Sequence, residues 1–289
     1  MLQLSNNFLM SSVNPRGYLI FLINWSKKMN NTKNIYNKIK NATVAIAIMN
    51  KKGTEEPFTI IGSGFCIDSE GIIITCRHVI EAMMSKTVTQ QLEKIPQEKK
   101  DNQIHILDPI TVIAPHAIFY DTVSHRNGML AFPIQAKHMV AKTDSDIAGL
   151  SLWPHLAMQK GFPYLEIEKY SNISEGDEVG ICGFPLGNYL YRQLGTVTSS
   201  FSKGIISSII PSPNVSLKHL TGFQLNITAT NGNSGGPVFL LSSGKVFGVL
   251  SCAPINPLGN IVHGIVKAEP IYNILRPNFI EDLKEGKII

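Results

Sequence analysis

The stretch Asn231-Gly232-Asn233-Ser234-Gly235-Gly236-Pro237 is the part of this 289-residue chain best suited to chemistry. A serine set between glycines and followed by the apolar run Val238-Phe239-Leu240-Leu241 stands on a tight turn at the start of a strand. Glycine tolerates positive φ and lets a substrate approach the backbone closely. It also leaves successive N–H groups able to converge on one point, the geometry that stabilises a developing oxyanion. Ser234 is therefore a candidate nucleophile. A plain glycine loop has the same composition, so the reading depends on whether the chain supplies a base and an orienting acid.

A serine hydroxyl is a weak nucleophile; a base must accept its proton, and a third group must hold that base in one tautomer. The chain has eight histidines. Seven of them (His105, His116, His125, His138, His155, His219 and His263) sit in surroundings that suit a surface or hydrogen-bonded role. His78 differs, because it ends the apolar run Gly71-Ile72-Ile73-Ile74-Thr75-Cys76-Arg77 and begins the helical pattern Val79-Ile80-Glu81-Ala82-Met83-Met84. A strand-to-helix junction fixes the ring on a rigid sheet. For the acid, Asp146 stands where the polar turn Thr143-Asp144-Ser145 runs into Ile147-Ala148-Gly149-Leu150. There a carboxylate can be buried and still accept hydrogen bonds. Asp144 is its rival: strand alternation puts both on one face, and Asp146, beside the apolar run, is the one expected to be buried.

Positioning these groups falls to strands. Thr43–Met49, Thr59–Ile67, Gly71–Cys76, Ile110–Tyr120, Asp146–Leu152, Asp177–Gly183, Gly195–Ile210, Phe223–Thr228, Pro237–Leu241, Lys245–Ser251 and Ile261–Ala268 are apolar runs bounded by Gly, Pro, Asn and Asp, and all read as strands. This pattern predicts an all-β barrel or sandwich. Two helical patterns interrupt it, one or two turns after His78 and a C-terminal stretch over Tyr272–Leu283. Residues 85–103 are polar and of mixed charge, which reads as a solvated surface insertion close in sequence to His78. Residues 153–170, with Pro154, Gly161 and Pro163, read as a connection between two halves.

Composition narrows the class. Hydrophobic residues make up 44% and charged residues 16%, enough apolar content to bury a large core. The net charge of +5 is local: residues 1–54 hold eight Lys/Arg and no Asp or Glu, so the remaining chain is slightly acidic. A basic stripe with interleaved aromatics is missing, which speaks against nucleic acid as a partner. Cys66, Cys76, Cys182 and Cys252 show no C-x-x-C spacing and no Cys/His cluster, so neither a zinc site nor another metal centre is expected. A turn at Asp68-Ser69-Glu70-Gly71 would set Cys66 opposite Ile73 and Cys76 opposite Ser63, out of register for a disulfide. Reduced thiols favour a reducing compartment. Residues 1–40 read as a leader or disordered segment, with translation starting at Met29 as one explanation of the first 28 residues. Its apolar patch, Tyr18–Trp25, is too short to span a bilayer, and it makes a poor signal peptide. The expected location is cytoplasmic, or exported or organellar if this segment is a targeting sequence, with no stable membrane insertion.

Gly62-Ser63-Gly64-Phe65, Thr75-Cys76-Arg77-His78-Val79-Ile80, Asp146-Ile147-Ala148, Gly180-Ile181-Cys182-Gly183-Phe184-Pro185-Leu186-Gly187 and Gly232-Asn233-Ser234-Gly235-Gly236-Pro237 follow one another as in the trypsin-like serine peptidases. Over residues 41–276 the chain resembles their Deg/HtrA-type branch. The resemblance implies two six-stranded antiparallel β-barrels packed side by side with a C-terminal helix. The first, over residues 41–160, would carry His78 and Asp146; the second, over residues 161–289 with the helix, would carry Ser234. It implies an oxyanion hole at the N–H groups of Gly232 and Ser234 with Asn233 between them, no cofactor, and protein or peptide substrates. About a dozen residues follow the expected final helix, so the PDZ domain usual in that branch is not expected here. The chain has Asn226 where the pattern has an Asp, and the bulky Arg77 before His78. By the same analogy Thr228 forms the base of the S1 pocket. Ser251, Cys252, Ala253 and the strand around Gly264 form its walls, which predicts a small or medium apolar P1 residue rather than Lys or Arg.

Two other readings compete. Gly232-Asn233-Ser234-Gly235-Gly236 also satisfies G-x-S-x-G, but the α/β-hydrolase order needs an acid and then a histidine after the serine. Only 55 residues and His263 follow Ser234, and the preceding chain is strand-rich. A catalytically silent peptide-binding or scaffold protein on the same fold is the alternative to a serine endopeptidase, with Arg77 beside His78 as its motive.

Overall fold

The computed structural model describes residues 32–50, 57–94, 111–115, 129–141, 145–152, 161–195, 197–211, 220–252 and 265–273. Helix α1 (32–42) leads into β1 (Thr43–Met49), β2 (Phe58–Cys66) and β3 (Ile72–Thr75), followed by α2 (Arg77–Lys94). Strands β4 (Thr111–Pro115), β5 (Met129–Ala141) and β6 (Ala148–Leu152) complete a closed antiparallel barrel in the order β1-β2-β3-β6-β5-β4. After β7 (Glu178–Gly183) and α3 (Gly187–Leu194), β8 (Ser200–Pro211), β9 (Leu220–Asn226), β10 (Pro237–Leu240), β11 (Val246–Cys252) and β12 (Val266–Pro270) close a second barrel in the order β10-β11-β12-β9-β8-β7. This is the all-β, double-barrel architecture that the motif order implies.

The burial pattern explains the alternation seen in the sequence. Along β1, Val44, Ile46 and Ile48 enter the large core, while Ala45 and Ala47 face a second cluster with Phe58, Ile60, Phe184 and Val197. Period-two alternation thus serves two apolar surfaces at once. β3 is buried at every position, and its isoleucines share one core with Phe239, Val246, Val249 and Ile271 from the second half of the chain. The barrels are therefore fused through a common apolar seam, where each fully buried Ile or Phe contributes roughly 1.5–3 kcal/mol. The second barrel has its own interior around Val179, Ile181, Phe223, Leu225, Val238 and Phe247.

The β2–β3 hairpin follows the expected turn. Asp68 Oδ1 accepts the N–H groups of Glu70 and Ile72, each at 3.0 Å, and Gly71 takes φ +91°. Cys66 pairs with Ile73 in the predicted register, and Cys66, Cys76 and Cys182 are free and buried.

Four expectations need correction. The segment read as leader through residue 40 is helical from residue 32: Ile35 packs on Gly244, Tyr36 meets Phe201 edge-on at 5.1 Å, and Ile39 is fully buried. That spacing is a helical stripe hidden in an Asn- and Lys-rich composition. The one or two turns after His78 are an 18-residue helix, so residues 85–94 continue α2 instead of starting a surface insertion. β5 was missed; it is a 13-residue strand that contains Pro133, with an irregular register between Ile134 and Met139. α3 was missed too, and the strand expected from Gly195 starts at Ser200. Ile271–Asn273 forms a 3-10 turn, and the rest of the predicted C-terminal helix lies outside the described residues.

Candidate active site

His78 stands at the start of α2, directly after β3, with its side chain 46% exposed. Its Nδ1 lies 2.7 Å from Asp146 Oδ2, and its backbone N–H donates to Asp146 Oδ1 at 3.1 Å. Asp146 just precedes β6, held by the pairing of Arg77 N–H with the Asp146 carbonyl at 3.2 Å. Burial raises the Asp146 pKa, but the bonds from the His78 ring, the Ser251 hydroxyl and the His78 backbone outweigh it, holding the carboxyl at about 2. An ionised carboxylate only accepts, so the proton of the neutral imidazole sits on Nδ1 and the Nε2 lone pair is left free to accept.

Ser234 lies on the turn before β10. Gly232 and Gly235 adopt φ +98° and +87°, where a side chain is strained. Space forbids one as well: a Cβ on Gly235 would lie 2.1 Å from Ser63 O and 2.3 Å from Thr75 Oγ1, and one on Gly236 would lie 2.2 Å from Cys182 O. The turn is thus pressed against the first barrel. Most of its carbonyls are engaged: Asn231 O accepts from Leu186 N–H at 2.9 Å, Asn233 O from Gly236 N–H at 3.0 Å and Ser234 O from Ser63 N–H at 2.8 Å. Asn233 N–H is spent on Thr230 O at 3.1 Å. Among the described residues the N–H groups of Gly232 and Ser234 have no acceptor.

Ser251 joins the two halves. Its hydroxyl donates to Asp146 Oδ2 at 2.6 Å, while its carbonyl accepts from Ser234 Oγ at 3.1 Å. Expected only as a pocket wall, it contacts both Asp146 and Ser234. Its place 105 residues after Asp146 in sequence carries no local signal. In this structure the Ser234 hydroxyl donates to Ser251 O, not to the imidazole.

Thr228 is exposed beyond β9, and Cys252 ends β11. Ala253, Gly264 and Asp144 lie outside the described residues, as do His105, His116, His125, His155, His219 and His263; His138 falls within β5. Arg77 places its Nε 3.5 Å from Glu81 Oε1, one turn along α2. Ligand atoms of Cys76, His78 and Asp146 lie within 4.8 Å of one another. They are a poor cation site, because Nδ1 and Oδ2 are paired and burial raises the Cys76 thiol well above its ordinary pKa, keeping it protonated.

The family model for the trypsin-like peptidase domain matches residues 62–249, a span running from the Gly-Ser-Gly-Phe motif past Ser234 into β11. The chain belongs to the trypsin-like peptidase domain family. A DegP-like periplasmic serine endoprotease of Rickettsia prowazekii (strain Madrid E) is 30% identical over 230 residues, which is 79% of this chain and 34% of that protein. The chain thus spans about a third of the length of that relative. Among solved structures, the fold is shared with Deg5 (19% identity, TM-score 0.56, 90% of this chain and 97% of that one). It is also shared with the HtrA-type protease AlgW with a decapeptide (16% identity, TM-score 0.55, 88% and 67%). The cytoplasmic location expected from the cysteines is overturned by the periplasmic relative. Cys66, Cys76 and Cys182 are buried with raised pKa values, and thiols so protected stay reduced in an oxidising compartment too.

Proposed function

We propose that this domain hydrolyses peptide bonds with Ser234 as nucleophile, His78 as base and then acid, and Asp146 as the group that orients the imidazole and stabilises its cation. The observation that carries the reading is the 2.7 Å pair between His78 Nδ1 and the ionised Asp146, tied through Ser251 to the Ser234 hydroxyl. Acylation requires that hydroxyl to turn from Ser251 O to His78 Nε2. As Oγ attacks the scissile carbonyl, its proton passes to Nε2 and the carbonyl oxygen becomes an oxyanion held by the N–H groups of Gly232 and Ser234. The tetrahedral adduct then collapses, the amine leaves with the Nε2 proton, and water repeats the sequence on the acyl-enzyme.

The substrate is an extended peptide that pairs with the backbone of residues 251–253 at the end of β11, and Thr228 at the base of S1 leaves no charge to attract Lys or Arg. Profiling with a peptide library should return small or medium apolar P1 residues; strong selection for Arg overturns that assignment. The periplasmic relative supports export from the cytoplasm.

Fluorophosphonate labelling tests the chemistry directly. Wild type should label and Ser234→Ala should not, with kcat on labelled casein reduced about a millionfold in the variant. The Ser234–Ser251 bond favours one rival, a silent scaffold. Absence of labelling of the wild type under every condition would establish that rival instead.

A further inference from the structure

The Gly62-Ser63-Gly64-Phe65 motif takes no part in the triad, yet its serine makes two hydrogen bonds to the turn that carries Ser234. Ser63 is fully buried on β2 of the first barrel. Every polar atom it has is used. Its N–H donates to Ser234 O at 2.8 Å, and its carbonyl accepts from Thr75 Oγ1 at 2.7 Å. Its hydroxyl donates to Gly232 O at 2.6 Å and accepts from Phe184 N–H at 2.9 Å.

The first of those hydroxyl bonds falls on the peptide between the two unengaged donors. In a trans peptide the C=O and the N–H point in opposite directions. With its carbonyl held by Ser63 and its N–H held by Thr230 O at 3.1 Å, the Gly232–Asn233 unit has both ends fixed. Rotation of that unit would change φ of Asn233 and ψ of Gly232, the torsions that decide whether the N–H groups of Gly232 and Ser234 converge. Glycine at 232, at φ +98°, offers little resistance of its own. The constraint has to come from outside the turn.

The flanking glycines make that possible. A Cβ at Gly62 would meet Val79 Cγ2 at 2.7 Å and Ser234 O at 3.1 Å, and one at Gly183 would meet the Ser63 hydroxyl at 2.9 Å. Absence of side chains on both sides lets β2 approach the turn and the end of β7 within hydrogen-bond distance. We propose that Ser63 is a positioning residue that locks the Gly232–Asn233 peptide so that the Gly232 and Ser234 N–H groups form the oxyanion hole. Ser63 acts through the backbone and touches no substrate. This inference rests on the triad reading above.

The test is Ser63→Ala, which removes the hydroxyl and leaves Gly232 O and Phe184 N–H without a partner. Loss of one oxyanion donor costs roughly 100- to 1,000-fold in kcat, and disordering of the pair should cost roughly 10- to 100-fold. With labelled casein as substrate, kcat should fall by that factor while KM stays within about threefold of wild type. With a fluorophosphonate, whose phosphoryl oxygen occupies the same hole, the limiting inactivation rate should fall in parallel and the half-saturating concentration should not. A purely structural role would lower the melting temperature without this split. Ser63→Cys, close in volume and a weaker donor, should fall between wild type and Ser63→Ala, and it carries the test if the alanine variant does not fold. A kcat within twofold of wild type in a folded variant, or a loss confined to KM, overturns the proposal. An inactive, unlabelled wild type instead refutes the triad reading, so the two failures are distinguishable.

Discussion

The two barrels have the same closed six-strand order and differ in how each holds its part of the site. The first places His78 and Asp146 at the ends of regular elements, β3 into α2 and the start of β6, where ladder bonds and a buried row of isoleucines fix the backbone. The second places Ser234 on a turn with two positive-φ glycines, outside any ladder, whose shape is set by bonds reaching it from elsewhere. His78 and Asp146 are held mainly by the elements of their own barrel. The Ser234 turn is held in addition by Ser63 and Thr75 of the first barrel, which is pressed against it. Such a division makes the first barrel a support for the second as well as the carrier of His78 and Asp146.

The comparison can be broken first at the acid. Asp146→Asn keeps the shape of the side chain but removes the charge that fixes the tautomer of His78, and kcat should fall by about 10,000-fold with the fold intact. Steady-state kinetics with a melting curve checks this; a loss under tenfold would mean that His78 is held by its strand-to-helix junction alone. Next comes the contact between the barrels. Gly235→Ala sets a Cβ 2.1 Å from the backbone Ser63 O and 2.3 Å from Thr75 Oγ1 at φ +87°, and should cost roughly 3 kcal/mol of stability together with most of the activity. Denaturant unfolding measures the loss, and an unchanged midpoint would show that the turn yields without the first barrel.

The smallest effect is electrostatic. Because the folded pKa of Asp146 is about 2, below the ordinary 3.8 of an aspartate, the bonds to its carboxylate contribute stability that is complete above about pH 4. That contribution, no more than about 1–2 kcal/mol after solvent screening of the half-buried carboxyl, is lost as pH falls through 2. Unfolding free energies measured between pH 5 and 2 should therefore converge for wild type and Asp146→Asn at the acid end. Parallel curves would assign the coupling between the barrels to packing alone.

Much of this protein could be read from local pattern. His78 is marked by an apolar run that changes to helical spacing at that residue, Asp146 by its place between a polar turn and an apolar strand, and Ser234 by its glycines. Each signal lies within about eight residues, the range over which alternation, turn chemistry and backbone freedom are expressed. The same range hid others. Ile35, Ile39 and Ala42 make a helical stripe whose partners, Gly244 and the seam, are contributed by distant chain. No strand was expected over residues 129–141, and Pro133 within β5 is a residue that becomes acceptable in a strand only once its neighbours in the sheet are known.

By itself, then, the sequence determined the all-β class, the order in which His78, Asp146 and Ser234 follow one another, and the kind of chemistry those residue types can perform. Only the tertiary structure decided that Ser251 joins Asp146 to Ser234, and that Ser63 reaches the peptide between the two oxyanion donors. The reason is physical. These contacts span 105 and 169 residues and are made by a buried hydroxyl to a carboxylate or a carbonyl oxygen. A serine carries no mark of such a partner until two closed barrels bring the groups within 3 Å.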